Sequence, residues 1–142
     1  MTVLYPSQEW CDAWKEAINN SENAEKTGKN WGLDFNGTFL FEVLPDAGLD
    51  KTTYIYLDDT GGKCKEARIV SGPDEVDAGF HVRGPYSIFK KIVKGEIHFI
   101  ESLVTGKVRR ISGDMGKLMR NASFIGFVAE SISSVEAEYL GE

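Results

Sequence analysis

The stretch that decides the fold is GKVRRISGDMGKLMR, residues 106–120. Gly106 stops whatever precedes it. KVRRIS is short and strand-like, with Val108 and Ile111 on either side of a polar pair, and Gly113 turns the chain. Asp114 stands where a helix cap belongs, ahead of Met115, Leu118 and Met119 at helical spacing. Three glycines and five basic side chains invite a phosphate reading, and that reading fails. A Walker loop ends in Gly-Lys-Ser/Thr, whereas Gly116-Lys117 runs into Leu118, which has no hydroxyl for magnesium. Gly113-Asp114-Met115-Gly116 is not GxGxxG, and an anion at this helix start would meet the Asp114 carboxylate. The stretch is a structural corner: helix end, short strand, capped helix.

Outward from the corner, helical patterns dominate. In PYSIFKKIVKG (85–95), Tyr86, Phe89, Ile92 and Val93 share a stripe closed by Gly95. In IHFIESLVTG (97–106), Ile97, Ile100, Leu103 and Val104 form a second, closed by Gly106. ASFIGFVAESISSVEAEYL (122–140) puts Phe124, Phe127, Val128, Ile132, Val135 and Tyr139 on one helical face. The first part of the chain reads differently. Ser7 is placed to cap a helix with Trp10, Cys11, Ala13, Trp14, Ala17 and Ile18 on its apolar side, and the polar run 19–30 reads as a loop. WGLDFNGTFLFEV (31–43) then alternates with period two, Gly37 interrupting as a bend. LPDAGLDK turns the chain, and TTYIYLDD (52–59), CKEARIV (64–70) and FHVRG (80–84) are further strands. Short connections predict an antiparallel meander. The expected order is α-β-β-β-β-α-α-β-α-α, an α+β domain spanning residues 1–142 with a mainly antiparallel sheet covered by helices.

Composition narrows the function. With 42% hydrophobic and 27% charged residues the chain is an ordinary globular sequence, and its apolar runs are too short to cross a bilayer. The start, MTVLYPSQEW, carries no secretion signal, and two cysteines far apart in sequence, Cys11 and Cys64, fit a reducing compartment; cytoplasmic residence is expected. Net charge is −6, unevenly spread: residues 83–120 hold nine Lys and Arg against three acidic residues, the remainder seven against nineteen. Such a basic segment suits an anionic partner. Nucleic acid is not that partner, because Tyr86 and Phe89 read as core rather than as base-stacking aromatics and the rest of the chain is strongly acidic.

No enzyme emerges. There is no GxSxG elbow, and Cys11 sits on an apolar helix face as an inert thiol. His98 and Glu101 form an H-x-x-E pair, and His81 lies on a strand; only convergence of all three would make a metal or catalytic site. No metal or cofactor is expected. What remains is an apolar surplus in glycine-broken short helices, an arrangement that leaves space between helices and sheet for an apolar ligand. A fully packed core is the alternative.

The order and spacing of these pieces resemble the sterol carrier protein type 2 (SCP2) domain family. GKVRRISGDMGKLMR is similar to its signature, a helix-ending glycine, a short strand and Gly-Asp-Met-x-x-x-Met opening a helix. Arg83 to Met119 matches the family's run of strand, two glycine-closed helices, strand and helix, and Trp31–Phe41 looks like its first strand. The resemblance implies five mostly antiparallel strands flanked by helices, with an apolar tunnel between the layers that takes fatty acids, fatty acyl-CoA, phospholipids or sterols and isoprenoids without chemistry. It makes Phe89, Ile92, Phe99 and Leu103 candidate wall residues, with Met115, Leu118 and Met119 after the signature. Phe124, Phe127 and Val128 are placed to close the tunnel. Lys90, Lys91, Lys94, Lys107, Arg109 and Arg110 are candidates for steering toward an anionic membrane or for holding a headgroup. Two features depart from the animal sterol carriers: the C-terminal YLGE is no peroxisomal Ser-Lys-Leu signal, and HVRGPYSIFKK (81–91) is closer to microbial relatives. Two other readings stay open, a closed-core structural or regulatory domain and a small lipid-modifying or hydrolytic enzyme using His81, His98 and Glu101.

Overall fold

The computed structural model describes residues 2–142. In chain order the elements are β1 (Val3–Tyr5), α1 (Gln8–Asn19), α2 (Glu22–Thr27), β2 (Phe39–Leu44), β3 (Thr53–Asp58), β4 (Glu66–Val70) and β5 (Phe80–Pro85). Then come α3 (Tyr86–Val93), α4 (Phe99–Val104), β6 (Arg109–Ser112), α5 (Met115–Arg120), α6 (Ala122–Glu130) and β7 (Ala137–Tyr139). Local signals account for many of the boundaries. Ser7 Oγ accepts from Trp10 N (3.0 Å) to start α1, and Asp114 Oδ1 accepts from Gly116 N (2.8 Å) to start α5. Gly113, at φ +111, lets the turn before α5 lie against the Phe80 ring, where a Cβ would come within 2.4 Å.

Five strands form one mixed, mostly antiparallel sheet in the order β4-β3-β2-β5-β6. The first three strands are the meander that the short turns predict. The fourth departs from it. Instead of joining β4, β5 crosses back and pairs parallel with β2, Phe39 opposite Phe80. The start of β2 holds it there. Asn36 Nδ2 donates to the Asp77 carbonyl (2.8 Å) and Gly79 N donates to Thr38 Oγ1 (3.2 Å). Gly79 lies so close that a Cβ would be 1.8 Å from the Asn36 carbonyl oxygen.

Period two sorts the sheet's faces. Phe39, Phe41 and Val43, with Ile55 and Leu57, face the helices and join the main core. Leu40, Tyr56 and Val70 face away and form a smaller cluster under Val76 and Ala78 of the β4–β5 connection. Helices therefore cover one face, and that connection covers part of the other.

Three further expectations are corrected. Residues 31–35 turn and bend and 36–38 are irregular, none of them strand: Trp31 N and Leu33 N bond back to the Gly28 and Asn30 carbonyls, and Leu33 is 66% exposed. The indole of Trp31 is used as core instead, stacked on Phe80 at 5.7 Å with its N–H on the Gly37 carbonyl (3.0 Å). The polar run 19–30 contains α2, capped by Ser21, whose single buried side chain, Ala24, is too small to give a periodic signal. The last helix ends at Glu130; Val135 and Tyr139 lie beyond it, and β7 pairs parallel with β1, Tyr5 opposite Tyr139.

Candidate functional site

The space between sheet and helices is built from side chains that meet without quite closing. Phe39 and Phe41 stack on the sheet, 5.4 Å between centroids. Opposite them stand Phe89 and Ile92 of α3, Phe99 of α4 and Val128 of α6, with Trp10 and Trp14 of α1 at the side. Between them remains an apolar cavity of about 50 Å³. That holds a few waters; a lipid chain needs several hundred Å³.

A second, open cleft of about 620 Å³ runs between the α3–α4 segment and α6, with Ile97, His98, Gly126 and Phe127 on its walls. Ile92, Val93, Phe99 and Ala129 line both spaces. These four side chains border both spaces, and α4, which carries Phe99, is a helix of only six residues.

Two residues that line the cavity carry buried polar groups, although the cavity surface itself is almost wholly apolar. Asp59, which follows β3, is 0% exposed, and no hydrogen bond of ordinary geometry reaches either carboxylate oxygen from the described residues. Burial lifts its carboxyl to about 8 against the pull of its own backbone N–H; the Asp58 charge adds to the rise and the nearby Trp31 indole opposes it. The buried Trp10 Nε1 is also without an acceptor among the described residues. The other two tryptophans are satisfied, Trp14 by the Val128 carbonyl and Ser131 Oγ, Trp31 by Gly37. Both residues line the cavity and not the cleft.

The wall candidates divide. Phe89, Ile92, Phe99 and Val128 line the cavity, and Phe127 lines the cleft. Leu118 and Phe124 are buried in the main core away from both spaces, Leu103 and Met115 are half-buried at its margin, and Met119 is 46% exposed. The sheet-side wall and α1 were missing from the sequence reading of the site. Strand alternation already put Phe39, Phe41, Ile55 and Leu57 on one face, so the signal was present. Asp59 gave none, since an Asp-Asp pair at a strand end reads as a turn.

The basic residues divide too. Lys90 and Lys94 pair with Glu142 (3.1 and 2.6 Å), and these contacts hold Lys94 above its usual range and Glu142 below its own. Arg110 donates to the Gly113 carbonyl (2.9 Å), and Lys91, Lys107 and Arg109 are exposed.

His81, His98 and Glu101 are not brought together. His81 Nε2 meets Glu42 Oε1 (2.7 Å) on the sheet face away from the cavity. His98 caps α4, its Nδ1 accepting from Ile100 N (3.2 Å), and Glu101 is exposed. Among the described residues no group of three such side chains is placed to hold a metal. Burial pushes the free thiols of Cys11 and Cys64 up to about 12, so neither is a nucleophile at neutral pH. No helix among the described residues is long and apolar enough to cross a membrane.

Solved structures share this architecture. A crystal structure of sterol carrier protein 2 superposes with a TM-score of 0.79 at 24% identity, over 91% of this chain and 97% of that one. A conserved hypothetical protein from Thermus thermophilus gives 0.80 at 21%, over 96% and 92%. The sterol carrier protein domain 2 of Helicoverpa armigera gives 0.57 at 14%, over 92% and 96%. No curated protein matches the sequence. The model of the SCP-2 sterol transfer family matches residues 16–126, which span the helix-facing sheet, the signature corner and the first half of α6. The chain belongs to the SCP-2 sterol transfer family.

Proposed function

We propose that this protein binds a fatty acid, fatty acyl-CoA, phospholipid, or sterol or isoprenoid between its sheet and helices, and carries it without chemistry as a single domain. The observation that carries the reading is the shared wall: Ile92, Val93, Phe99 and Ala129 line both the buried cavity and the open cleft. Rotation of these side chains, with small shifts of α4 and α6, joins the two spaces into a tunnel of the required size. Burying an acyl chain yields roughly 0.8 kcal/mol per CH₂, so ten carbons give a gross driving force of about 8 kcal/mol. Two free buried thiols fit a cytoplasmic setting.

Native mass spectrometry of freshly purified protein, followed by organic extraction, tests the reading. A stoichiometric lipid supports it. Protein that stays empty after incubation with a mixed lipid pool supports the closed-core domain instead. A tryptophan at Ala129 fills the passage between cleft and cavity, and Ala129→Trp is expected to weaken uptake of a fluorescent fatty acid at least tenfold; equal affinity would place the entry elsewhere.

Delivery is a separate step. Lys107 and Arg109 are exposed beside β6, with Val104 and Ile111 among the exposed apolar side chains of the same region. Basic side chains flanking exposed apolar ones suit an anionic bilayer surface. Charge reversal by Lys107→Glu with Arg109→Glu is expected to slow transfer to phosphatidylserine-containing vesicles several-fold, leaving lipid affinity and transfer to neutral vesicles unchanged. Lys90 and Lys94, held by Glu142, contribute less than these two.

A further inference from the structure

We infer that Glu142 masks the basic face of α3, so that Lys90 and Lys94 meet an anionic bilayer only when its carboxylate lets go. The inference rests on the membrane-delivery reading above and adds to it a second docking surface, one that the chain itself keeps covered.

The mask is built by the fold and not by the charges alone. β7 is fixed by its parallel pairing with β1. Just after it, the hydroxyl of the buried Tyr86 donates to the Leu140 carbonyl (2.9 Å), tying the segment to the first turn of α3. Gly141 then turns the chain at φ +82 against the loop that follows β2, where a Cβ would come within 2.1 Å of the Ala47 carbonyl oxygen. This turn brings Glu142 Oε2 to Lys94 Nζ (2.6 Å) and Lys90 Nζ (3.1 Å), which stand one helical turn apart. Lys94 Nζ also lies 4.8 Å from the centroid of the Tyr139 ring. The two lysine side chains are thereby held to 18% and 29% exposure, whereas Lys91 beside them is open to solvent.

The chain carries a net charge of −6, so an anionic bilayer repels most of its surface and attracts only faces where cations outnumber carboxylates. α3 and its C-cap, Tyr86 to Lys94, hold three lysines and no acidic residue. Asp46 and Glu96 act on Lys90 and Lys94 through space, but among the described residues these lysines form ion pairs with Glu142 alone. Such a surface pair is weak, because water and salt screen it. A phosphatidylserine surface offers the same lysines many anions at once. Exchange of one carboxylate for that surface is close to balanced, which is what a removable mask requires. α3 also carries Phe89 and Ile92 of the cavity wall, so docking through it would place the bilayer against an element that borders the ligand.

Cosedimentation with phosphatidylcholine vesicles, with and without phosphatidylserine, tests the mask. Glu142→Gln keeps the side chain's size and removes its charge. It is expected to bind phosphatidylserine vesicles about fivefold tighter than the parent, with no change on phosphatidylcholine alone. Glu9→Gln, the same loss of charge at an exposed position of α1, should gain less than about twofold. Lys90→Gln with Lys94→Gln should remove the gain in the Glu142→Gln background and change little in the parent. Equal affinities for the parent and Glu142→Gln, an equal gain from Glu9→Gln, or a gain that survives loss of both lysines would overturn the inference. If the parent binds phosphatidylserine vesicles and Glu142→Gln only matches it, delivery to anionic membranes stands and the mask falls. Should neither bind them, both fall.

Discussion

Replacing Asp59 by asparagine is expected to increase stability relative to the parent by roughly 4 kcal/mol more at pH 8.5 than at pH 5. The unfolded chain releases the Asp59 proton around 3.8, whereas the folded protein holds it to about 8. Between those values the native state binds a proton that the unfolded state has given up, so the parent loses stability as pH rises, by at most about 1.4 kcal/mol per pH unit. The group's contribution is complete below the unfolded value and gone above the folded one. The asparagine does not titrate. Two ionisable neighbours bear on the window: the Asp58 charge lifts Asp59 further, and Cys64, whose thiol feels Asp59, stays protonated throughout. Urea denaturation of both proteins at several pH values checks this. Parallel stability profiles would mean that Asp59 is solvated or paired in solution.

Gly79→Ala should cost about 3 kcal/mol or more, the largest loss among the alanine substitutions considered. The new Cβ would sit 1.8 Å from the Asn36 carbonyl oxygen and 2.6 Å from its carbon. These are backbone atoms and cannot rotate away. Relief requires β5 to slide or tilt on β2, and any slip of register disturbs Phe80 and Val82, which face the core. Gly72→Ala is the control: its φ of 169 is ordinary extended backbone and nothing lies within 4 Å of its Cβ, so its effect should be within about 0.5 kcal/mol. Denaturation midpoints that fall equally for the two variants would show that the close approach does not govern the cost.

What could be read in advance follows a physical line. Capped and glycine-closed helices were legible because their signals are local: Ser7, Asp114, Gly95 and Gly106 act within a few residues of themselves. Meander strands were legible from alternation. Pairing across distance was not. Nothing within FHVRG says that β5 joins β2 rather than β4, because that choice is made by the Asn36–Asp77 and Thr38–Gly79 hydrogen bonds. Trp31–Thr38 misled because large apolar residues at alternate positions look like a strand, while the backbone turns and Leu33 is left outside. The three-residue strands β1 and β7 are too short for any period. At the site, Phe89, Ile92, Phe99 and Val128 were legible as lining of the space under the helices and Asp59 was not, since its burial is a property of the assembled layers and not of its sequence neighbours.

The pairing of β1 with β7 carries one more consequence. Tyr5 lines the cavity and is anchored by a strand that follows every other element in the chain. During ribosomal synthesis the aromatic sheet, the signature corner and α6 are all made before that anchor exists. The nascent interior thus lacks one of its walls until the later strand of the pair emerges, so the last residues to be made complete the packing around Tyr5.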